Sequence, residues 1–258
     1  MKMKVTFLGS GTSQGVPVIA CDCEVCCSNN KYDKRLRASI LIETDNGVAI
    51  VIDAGPDFRQ QMLQADVHHL DGILLTHEHK DHIAGLDDVR AFNYITGKAV
   101  KIYVEERVQA ALHQEFSYAF AEYKYPGVPE FNLQTIDERP FRVAGVEIIP
   151  IRVMHYHLPI LAFRIGKFAY VTDTNYIDAA SKEKLRGLDV LVINAIRFEK
   201  HLSHYSVPEA IALAEELNPA ATYLTHLSHQ IGIHRTVQEK LPATVQLAHD
   251  GLILTVEN

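Results

Sequence analysis

The sequence predicts an α/β protein in which two mixed β-sheets pack face to face and helices cover their outer faces. Short apolar runs rich in Val and Ile recur along the chain. Helical patterns alternate with these runs, and no segment has the composition of an interdomain linker. The 258 residues are also enough to bury a full hydrophobic core. We therefore predict one domain spanning residues 1–258.

The predicted strands are short runs in which β-branched and other apolar residues dominate. In chain order they are residues 4–8, 39–44, 48–52, 72–75, 100–104, 146–153, 160–165, 168–172, 190–194, 222–225 and 252–256. Apolar residues at helical spacing predict helices at 56–65, 86–94, 105–118, 178–185, 208–217 and 235–240. Ser206 lies three residues before Glu209, a capping-box pattern that predicts a helix start there. Residues 118–138 are predicted to be a surface excursion, either a lid or a plain long loop.

Composition excludes some classes of partner. Apolar residues make up 47% and charged residues 22% of the chain, which is ordinary for a globular protein. The net charge of -7, without a long Lys/Arg block, disfavours an extended nucleic-acid partner but permits a small anionic substrate. No apolar run approaches the length of a membrane span, so no membrane partner is predicted. Residues 1–9 read as a first strand rather than a signal peptide.

The segment 76–82 carries four side chains that can bind a metal ion: His77, His79, Asp81 and His82. It directly follows a predicted strand, so these side chains enter one small volume where the chain leaves the sheet. His77 and His79 are two residues apart and project to the same side of an extended segment. The spacing predicts two pairs of ligands suited to two adjacent ions.

Two adjacent ions need further ligands, and the ends of later strands supply candidates. His155, Asp173 and His226 each follow a predicted strand, which places them along one edge of the sheets. Asp173 is the natural bridge, because a carboxylate has two oxygens and can contact both ions. His157 lies close to His155 in sequence and is the alternative ligand at that strand end.

Residues 76–85 (THEHKDHIAG) resemble the signature of the metallo-β-lactamase superfamily. The order of His155, Asp173 and His226 resembles the later motifs of the superfamily, and residues 52–55 (IDAG) resemble its earlier Asp-x-Gly motif. The resemblance covers nearly the whole chain and implies an αββα sandwich with two divalent ions at one edge. It also implies that Asp53 supports the metal ligands from a second layer.

The resemblance further implies which residues share each ion. The first ion is assigned to His77, His79, His155 and Asp173. The second ion is assigned to Asp81, His82, Asp173 and His226. His and Asp ligation suits zinc, manganese or iron, and the sequence leaves that choice open.

Cys21, Cys23 and Cys26 form a Cys-x-Cys-x-x-Cys cluster. Three thiolates this close can hold one tetrahedral zinc ion, which needs a fourth ligand. We assign that ligand to His229, and we leave Cys27 as a free thiol because it is adjacent to Cys26. The alternative is that all of these cysteines are free thiols. Crowded cysteines favour a metal site in a reducing cytoplasm over a disulfide framework, so we predict a cytoplasmic protein.

Residues 8–17 (LGSGTSQGVP), followed by the cysteine cluster, resemble the superfamily branch that includes 5-phosphoribosyl 1,2-cyclic phosphate phosphodiesterase. In that branch, three cysteines and a downstream histidine bind structural zinc, which matches the assignment above. The resemblance also places a general-acid histidine at His204, and an imidazole with an ordinary pKa suits that role near neutral pH. His204 and Asp81 are the predicted catalytic residues, while Arg37 and Lys80 are candidate phosphate contacts.

The predicted function is hydrolysis of a small phosphodiester, cyclic diesters included, through attack by metal-bound hydroxide. The predicted cofactors are two divalent active-site ions, Zn or Mn, and one structural Zn. The oligomeric state is left open, with a homodimer as one alternative.

Four other functions compete with this prediction. A transfer-RNA 3′-end-processing endoribonuclease shares the ligand pattern but usually carries a basic, glycine-rich arm that the sequence lacks. A thioesterase of the glyoxalase II type would use the same ions to polarise a carbonyl. A non-hydrolase branch from pyrroloquinoline quinone biosynthesis has a similar cysteine cluster but departs in the active-site ligands. The last alternative is a pure binding protein.

Overall fold

Two seven-stranded β-sheets form the centre of the computed structural model, which describes residues 2–257. The first sheet contains β1 (Lys2–Gly9), β2 (Ser39–Thr44), β3 (Ala49–Ile52), β4 (Gly72–Leu74), β5 (Val100–Val104), β6 (Phe131–Thr135) and β14 (Ile253–Glu257). The second sheet contains β7 (Phe141–Val143), β8 (Val146–His155), β9 (Leu158–Ile165), β10 (Phe168–Val171), β11 (Val190–Asn194), β12 (Ala221–Thr225) and β13 (Val245–Leu247).

Both sheets combine antiparallel and parallel pairing. In the first sheet, β14, β1, β2 and β3 pair antiparallel, and β3 to β6 pair parallel. In the second sheet, β7 to β10 pair antiparallel, and β10 to β13 pair parallel. The predicted architecture of two mixed sheets flanked by helices is confirmed.

Alternating side chains on the strands build the layers, because successive residues of a strand point to opposite faces. On β2, Ile40 and Ile42 join the core between the sheets, where they meet Phe163 and Tyr170 of the second sheet. Leu41, between them, belongs instead to the core under the outer helices. Each fully buried side chain of this kind contributes roughly 1.5–3 kcal/mol of transfer free energy. Both faces of each sheet are therefore apolar and covered.

Nine helices lie within the described residues. They are α1 (Glu24–Cys27), α2 (Phe58–Gln64), α3 (Lys80–Ile83), α4 (Arg90–Thr96), α5 (Glu106–Glu115), α6 (Ser117–Phe120), α7 (Ala179–Glu183), α8 (Val207–Leu217) and α9 (His234–Gln238). Apolar side chains of α2, α4 and α5 pack on the first sheet, while those of α8 and α9 pack on the second. None of these helices is long and apolar enough to cross a membrane.

The capping box before α8 is confirmed. The side chain of Ser206 accepts a bond from the backbone of Glu209, whose Oε2 accepts the backbone N–H of Ser206 at 2.9 Å. These two bonds satisfy backbone donors that the first turn of a helix leaves free. The helix starts at Val207, one residue earlier than predicted.

Several elements differ from the sequence prediction. The surface excursion expected at 118–138 is wrong at Phe131–Thr135, because this segment pairs in parallel with β5 and closes the edge of the first sheet. The strands β7 and β13 and the short helices α1 and α3 were also not predicted, since each has only three or four residues. The predicted helix at 86–94 divides into a 3₁₀ turn, Leu86–Val89, and α4.

The fold brings several strand ends to one place. The chain leaves β3 at Asp53, β4 just before Thr76, β10 just before Asp173 and β12 at His226, while His155 is the last residue of β8. Loops after these strands therefore converge at one edge of the two sheets. The assignment of residues 1–258 to one domain stays a prediction, and residues 1 and 258 lie outside the described part of the chain.

Candidate metal centre

Two histidines of the first sheet meet one histidine of the second. His77 and His79 follow β4, and His155 ends β8; one ligand nitrogen of each lies within 4.8 Å of the others. The ring centroids of His77 and His79 are 4.5 Å apart, and those of His79 and His155 are 5.1 Å apart. We call these three residues the histidine group. His157, the alternative to His155, is not part of it.

Four buried side chains form a second group beside the first. Asp81, His82, Asp173 and His226 place one ligand atom each within 4.8 Å of one another. Nε2 of His82 lies 3.1 Å from Oδ2 of Asp81 and 3.4 Å from Oδ2 of Asp173. Nδ1 of His226 lies 3.1 Å from Oδ1 of Asp173. We call these four residues the aspartate group.

Asp173 also lies close to one residue of the histidine group and to His204. It forms a further set with His155 and His204, with ligand atoms again within 4.8 Å of one another. Asp173 is therefore a member of the aspartate group that also lies close to His155 of the histidine group. This placement is the one that a bridging carboxylate requires.

Asp53 supports the ligands from behind, at the end of β3. Its Oδ2 accepts a hydrogen bond from Nδ1 of His82 at 2.7 Å, and its Oδ1 accepts the backbone N–H of Thr76 at 2.9 Å. The hydroxyl of Thr76 lies 2.9 Å from Nδ1 of His77. Bonds of this kind fix the orientation and tautomer of ligand histidines.

Three residues of the site adopt left-handed backbone conformations. Asp53, Asp173 and His226 have φ values of 65°, 57° and 56°. Such conformations cost on the order of 1–3 kcal/mol for residues other than glycine and concentrate at functional sites. They turn the chain sharply after β3, β10 and β12, which aims the three side chains into the cluster. Sequence patterns give no signal for this feature.

Glycines allow the two loops of the site to touch. A Cβ atom at Gly55 would lie 2.0 Å from the backbone oxygen of Asp81. A Cβ atom at Gly85 would lie 2.0 Å from the backbone oxygen of Gly55. The loop that carries Asp53 can therefore pack against the loop that carries the ligands only because both positions lack a side chain.

The charges of the aspartate group favour a cation at its centre. Burial disfavours the charged form of His82, but the carboxylates of Asp173, Asp53 and Asp81 outweigh it and raise the pKa of His82 well above its usual value. Burial likewise opposes ionisation of Asp173, yet His226 and His82 hold the pKa of Asp173 well below its usual value. The protein thus holds a proton between carboxylates where a divalent ion would compete for the same ligand atoms.

The donor set fits divalent ions. Nε2 of His77 is buried without a hydrogen-bond partner among the described residues, an arrangement that calls for a ligand at this atom. Nitrogen and carboxylate ligands suit zinc, manganese or iron. Burial, followed by the effect of His82, lowers the pKa of His77 well below its usual value, which keeps its imidazole neutral and able to bind metal.

His204 lies against the ligands but is not an ordinary imidazole. Its ring centroid is 4.7 Å from that of His155 and 4.8 Å from that of His226. Burial, and then His226, lower the pKa of His204 to about 3. The expectation of an ordinary pKa is therefore wrong, and His204 is neutral near pH 7 in this structure. Its Nδ1 is buried without a hydrogen-bond partner in residues 2–257.

The cysteine cluster forms a separate four-residue set. Nδ1 of His229 lies 3.3 Å from Sγ of Cys21, 3.4 Å from Sγ of Cys23 and 3.5 Å from Sγ of Cys26. The four ligand atoms lie within 4.8 Å of one another, as one tetrahedral zinc ion would require. Cys27 is exposed and outside this set. The structure thus brings together the residues that the sequence assigned to structural zinc.

The two candidate phosphate contacts are already paired. Nη1 of Arg37 lies 2.9 Å from Oδ1 of Asp57, and Lys80 pairs with Glu115 on α5. A substrate anion would have to compete with Asp57 and Glu115 for these two cations. We call residues 76–82 the metal-binding segment. Sequence reasoning missed two residues that form hydrogen bonds to its side chains, Thr76 to His77 and Arg107 to Glu78, since Thr and Arg carry no metal-site signal of their own.

Comparison with known proteins places this geometry in a family. The protein-family model described as the beta-lactamase superfamily domain matches residues 49–227, a range that includes Asp53 and both groups of candidate ligands. It ends before His229 and begins after the cysteine cluster. A solved structure, described as a new diphosphatase from the PhnP family, is 40% identical in sequence and superposes with a TM-score of 0.93. The match covers 99% of this chain and 98% of the diphosphatase chain.

Two further relatives widen the comparison. The octanoyltransferase of Porphyromonas gingivalis is 41% identical over 252 residues, which are 97% of this chain and 51% of that protein. The chain thus spans about half the length of this relative. The Zn²⁺-bound PqqB from Methylobacterium extorquens is 19% identical with a TM-score of 0.77, covering 97% of this chain and 99% of its own. At that identity the likeness concerns the fold alone.

Proposed function

Since the chain belongs to the metallo-β-lactamase superfamily, we propose that it is a metal-dependent hydrolase whose substrate is a small phosphodiester, cyclic diesters included. The observation that carries this proposal is the pair of adjacent ligand groups, joined through Asp173 and His155 and flanked by His204. Two bound divalent ions would supply an activated water and neutralise the non-bridging phosphate oxygens. The seven residues of the two groups are proposed as their ligands.

The side chains around the ions have separable tasks. Asp53 and Thr76 hold His82 and His77 in one orientation, so the ligand atoms need no rearrangement when a substrate binds. Nδ1 of His155 donates a hydrogen bond to the backbone oxygen of Ser203 at 2.9 Å, which leaves Nε2 free to bind the ion. The same bond places the segment before His204 next to the site.

His204 is proposed to assist departure of the leaving oxygen. A neutral imidazole carries one N–H, which can donate a hydrogen bond to an oxygen that gains charge. Full proton transfer requires the charged imidazolium, and the anionic phosphodiester would favour that form when it binds beside the ring. His201 lies at a ring-centroid distance of 5.1 Å from His204.

A diphosphate is the second candidate substrate, because the PhnP-family relative is described as a diphosphatase. The two candidates differ in the leaving group. An alkoxide needs a proton, whereas a phosphate group leaves as a stable anion. Dependence of the rate on His204 therefore separates a diester from an anhydride.

Acyl chemistry has weaker support. The octanoyltransferase relative extends over about twice the matched length, so its activity need not lie in the half that this chain resembles. The substrate screen described below also tests for thioesterase activity. An endoribonuclease activity is disfavoured by the net charge of -7.

One substrate screen tests the proposal. Protein purified without added metal is analysed for Zn and Mn, and then assayed with Zn²⁺, with Mn²⁺ and after chelation. The substrates are linear and cyclic phosphodiesters, a nucleoside diphosphate, a thioester and a precursor transfer RNA. We expect metal-dependent hydrolysis of a small diester that chelation abolishes. A metal-loaded protein that is inert on every diester would refute the proposal, and activity on the diphosphate alone would favour the second candidate.

A further inference from the structure

Helix α5 contacts the metal-binding segment through a residue that lies between two ligands. Nη1 of Arg107 donates to Oε1 of Glu78, and Glu78 separates His77 from His79. Neighbouring side chains of an extended segment point to opposite sides. The two histidines therefore face the metal centre while Glu78 faces α5.

The same guanidinium also reaches the second sheet. Nη2 of Arg107 donates to the backbone oxygen of Pro159 at 2.8 Å. Pro159 pairs with Met154 in the β8–β9 hairpin, and the next pair of this ladder joins Leu158 to His155. The planar fork of an arginine holds two acceptors at a fixed separation. Arg107 thus joins the segment carrying His77 and His79 to the hairpin carrying His155.

We propose that Arg107 is a positioning residue that sets the separation between His155 and the other two members of the histidine group. On this proposal, which rests on the two-ion site proposed above, Arg107 controls the affinity of the histidine group for its ion and has little effect on the aspartate group. Partners that act behind the ligands typically change metal affinity by about 10–100-fold.

The aspartate group is held by different contacts. His82 is bonded to Asp53. Asp173 and His226 follow β10 and β12, whereas the hydrogen bonds of Arg107 go to Glu78 and to Pro159 on β9. Loss of Arg107 should therefore weaken one ion and spare the other. A residue that only stabilises the fold would weaken both.

The chain offers a matched control on the same helix. Lys80 of the metal-binding segment pairs with Glu115, at the other end of α5. Their side chains are 65% and 37% exposed, and exposed pairs contribute only about 0–1 kcal/mol. This pair joins α5 to the segment but makes no bond to the β8–β9 hairpin. Glu115→Gln should therefore leave both ion affinities unchanged.

The test uses Mn²⁺ as the probe, because thiolate sites prefer softer ions and manganese prefers oxygen and nitrogen ligands. Metal-free wild-type protein, Arg107→Ala, Arg107→Lys and Glu115→Gln are titrated with Mn²⁺. Binding is followed by electron paramagnetic resonance, which distinguishes a lone ion from a coupled pair. His77→Ala identifies which binding step belongs to the histidine group.

We expect two binding steps in the wild type. In Arg107→Ala, the step that His77→Ala removes should weaken by about 10-fold or more, with a lone-ion signal over the intervening concentrations. Arg107→Lys should be intermediate, because a lysine cannot hold both acceptors in a fixed fork. Thermal unfolding of the metal-free proteins shows whether each variant is folded.

Three outcomes would overturn the proposal. Equal weakening of both steps would show that Arg107 acts on the whole fold, and unchanged steps would show that it does not position the ligands. An Arg107→Ala protein that fails to fold while Arg107→Lys binds both ions as the wild type does would assign Arg107 a purely structural role. A wild type with fewer than two steps would instead refute the two-ion site on which the proposal rests.

Discussion

Asp53 and His82 form a fully buried pair, with 2.7 Å between Oδ2 of the carboxylate and Nδ1 of the imidazole. The bond keeps a hydrogen on Nδ1 and turns Nε2, whose proton a divalent ion would replace, towards Asp81 and Asp173. Asp53 thereby decides which nitrogen of His82 is available to an ion. Its left-handed backbone, at φ 65°, is the conformation that brings the carboxylate to this position.

Asp53→Asn should lower the affinity of the aspartate group for its ion by about 10–100-fold. The amide of the new asparagine would donate to Nδ1 of His82, which shifts the imidazole hydrogen to Nε2, the atom that faces the ligands. Asparagine tolerates left-handed backbone, so the loop itself should be retained. Competitive metal titration measures the change. Asp57→Asn is the control, and equal losses in both variants would argue against a tautomer effect.

His204→Gln should slow hydrolysis of diesters with alkoxide leaving groups by about 10²–10⁴-fold, the usual contribution of general acid catalysis. The loss should be much smaller for p-nitrophenyl esters and for a diphosphate, whose leaving groups need no proton. The measurement is kcat for the substrate pairs at one metal concentration. A loss of the same size for every substrate would assign His204 to the metal ions instead, in line with its position beside His155 and Asp173.

Cys26→Ser should remove one zinc ion per chain, whereas Cys27→Ser should retain it. Cys26 is buried, and its Sγ lies 3.5 Å from Nδ1 of His229; Cys27 is exposed and outside the set. Because α1 and the turn His229–Ile231 meet at this site, we expect Cys26→Ser to loosen the N-terminal segment and lower thermal stability. Metal analysis after dialysis measures the loss. Equal zinc content in the two variants would refute the assignment.

Stability should fall as pH rises through the range in which Asp250 ionises. Burial raises the pKa of Asp250 to about 6, although Leu36 and Ser10 donate hydrogen bonds to it. Between about pH 4 and pH 6, the folded protein keeps a proton that the unfolded chain has released. The free energy of unfolding should therefore decrease over this range by on the order of 3 kcal/mol from this group.

Asp250→Asn isolates that effect, because other titrating groups are shared with the wild type. Urea unfolding at about pH 4 and about pH 7 gives the free energy of unfolding of both proteins. We expect the free energy of unfolding to decrease from about pH 4 to about pH 7 by more in the wild type than in Asp250→Asn. Parallel pH profiles in the two proteins would show that Asp250 titrates as an ordinary carboxyl.

Sequence alone predicted the convergence of the metal ligands, because each candidate sits where a strand ends. Asp173 and His226 are separated by more than fifty positions, yet both follow parallel strands whose ends share one edge. The prediction could not include Arg107, since its role depends on the helix face that α5 turns towards Glu78. That face is decided by packing of Val108 and Leu112 on the first sheet.

Short elements were the hardest part of the fold to predict. Phe131–Thr135 contains Asn and Gln and follows a Pro- and Gly-containing stretch, so its own composition favours a loop. It becomes a strand because β5 offers it a free edge. The pKa of His204 was missed for a related reason, since burial by distant segments cannot be read from neighbouring residues.

The candidate ligands come from both sheets, with His77, His79, Asp81 and His82 on one side and His155, Asp173 and His226 on the other. Bound ions would therefore link the two sheets, since the sheets could not separate without releasing the ions. Loss of metal in the cell would then loosen the whole scaffold as well as stop turnover, and protein starved of metal would be exposed to proteases.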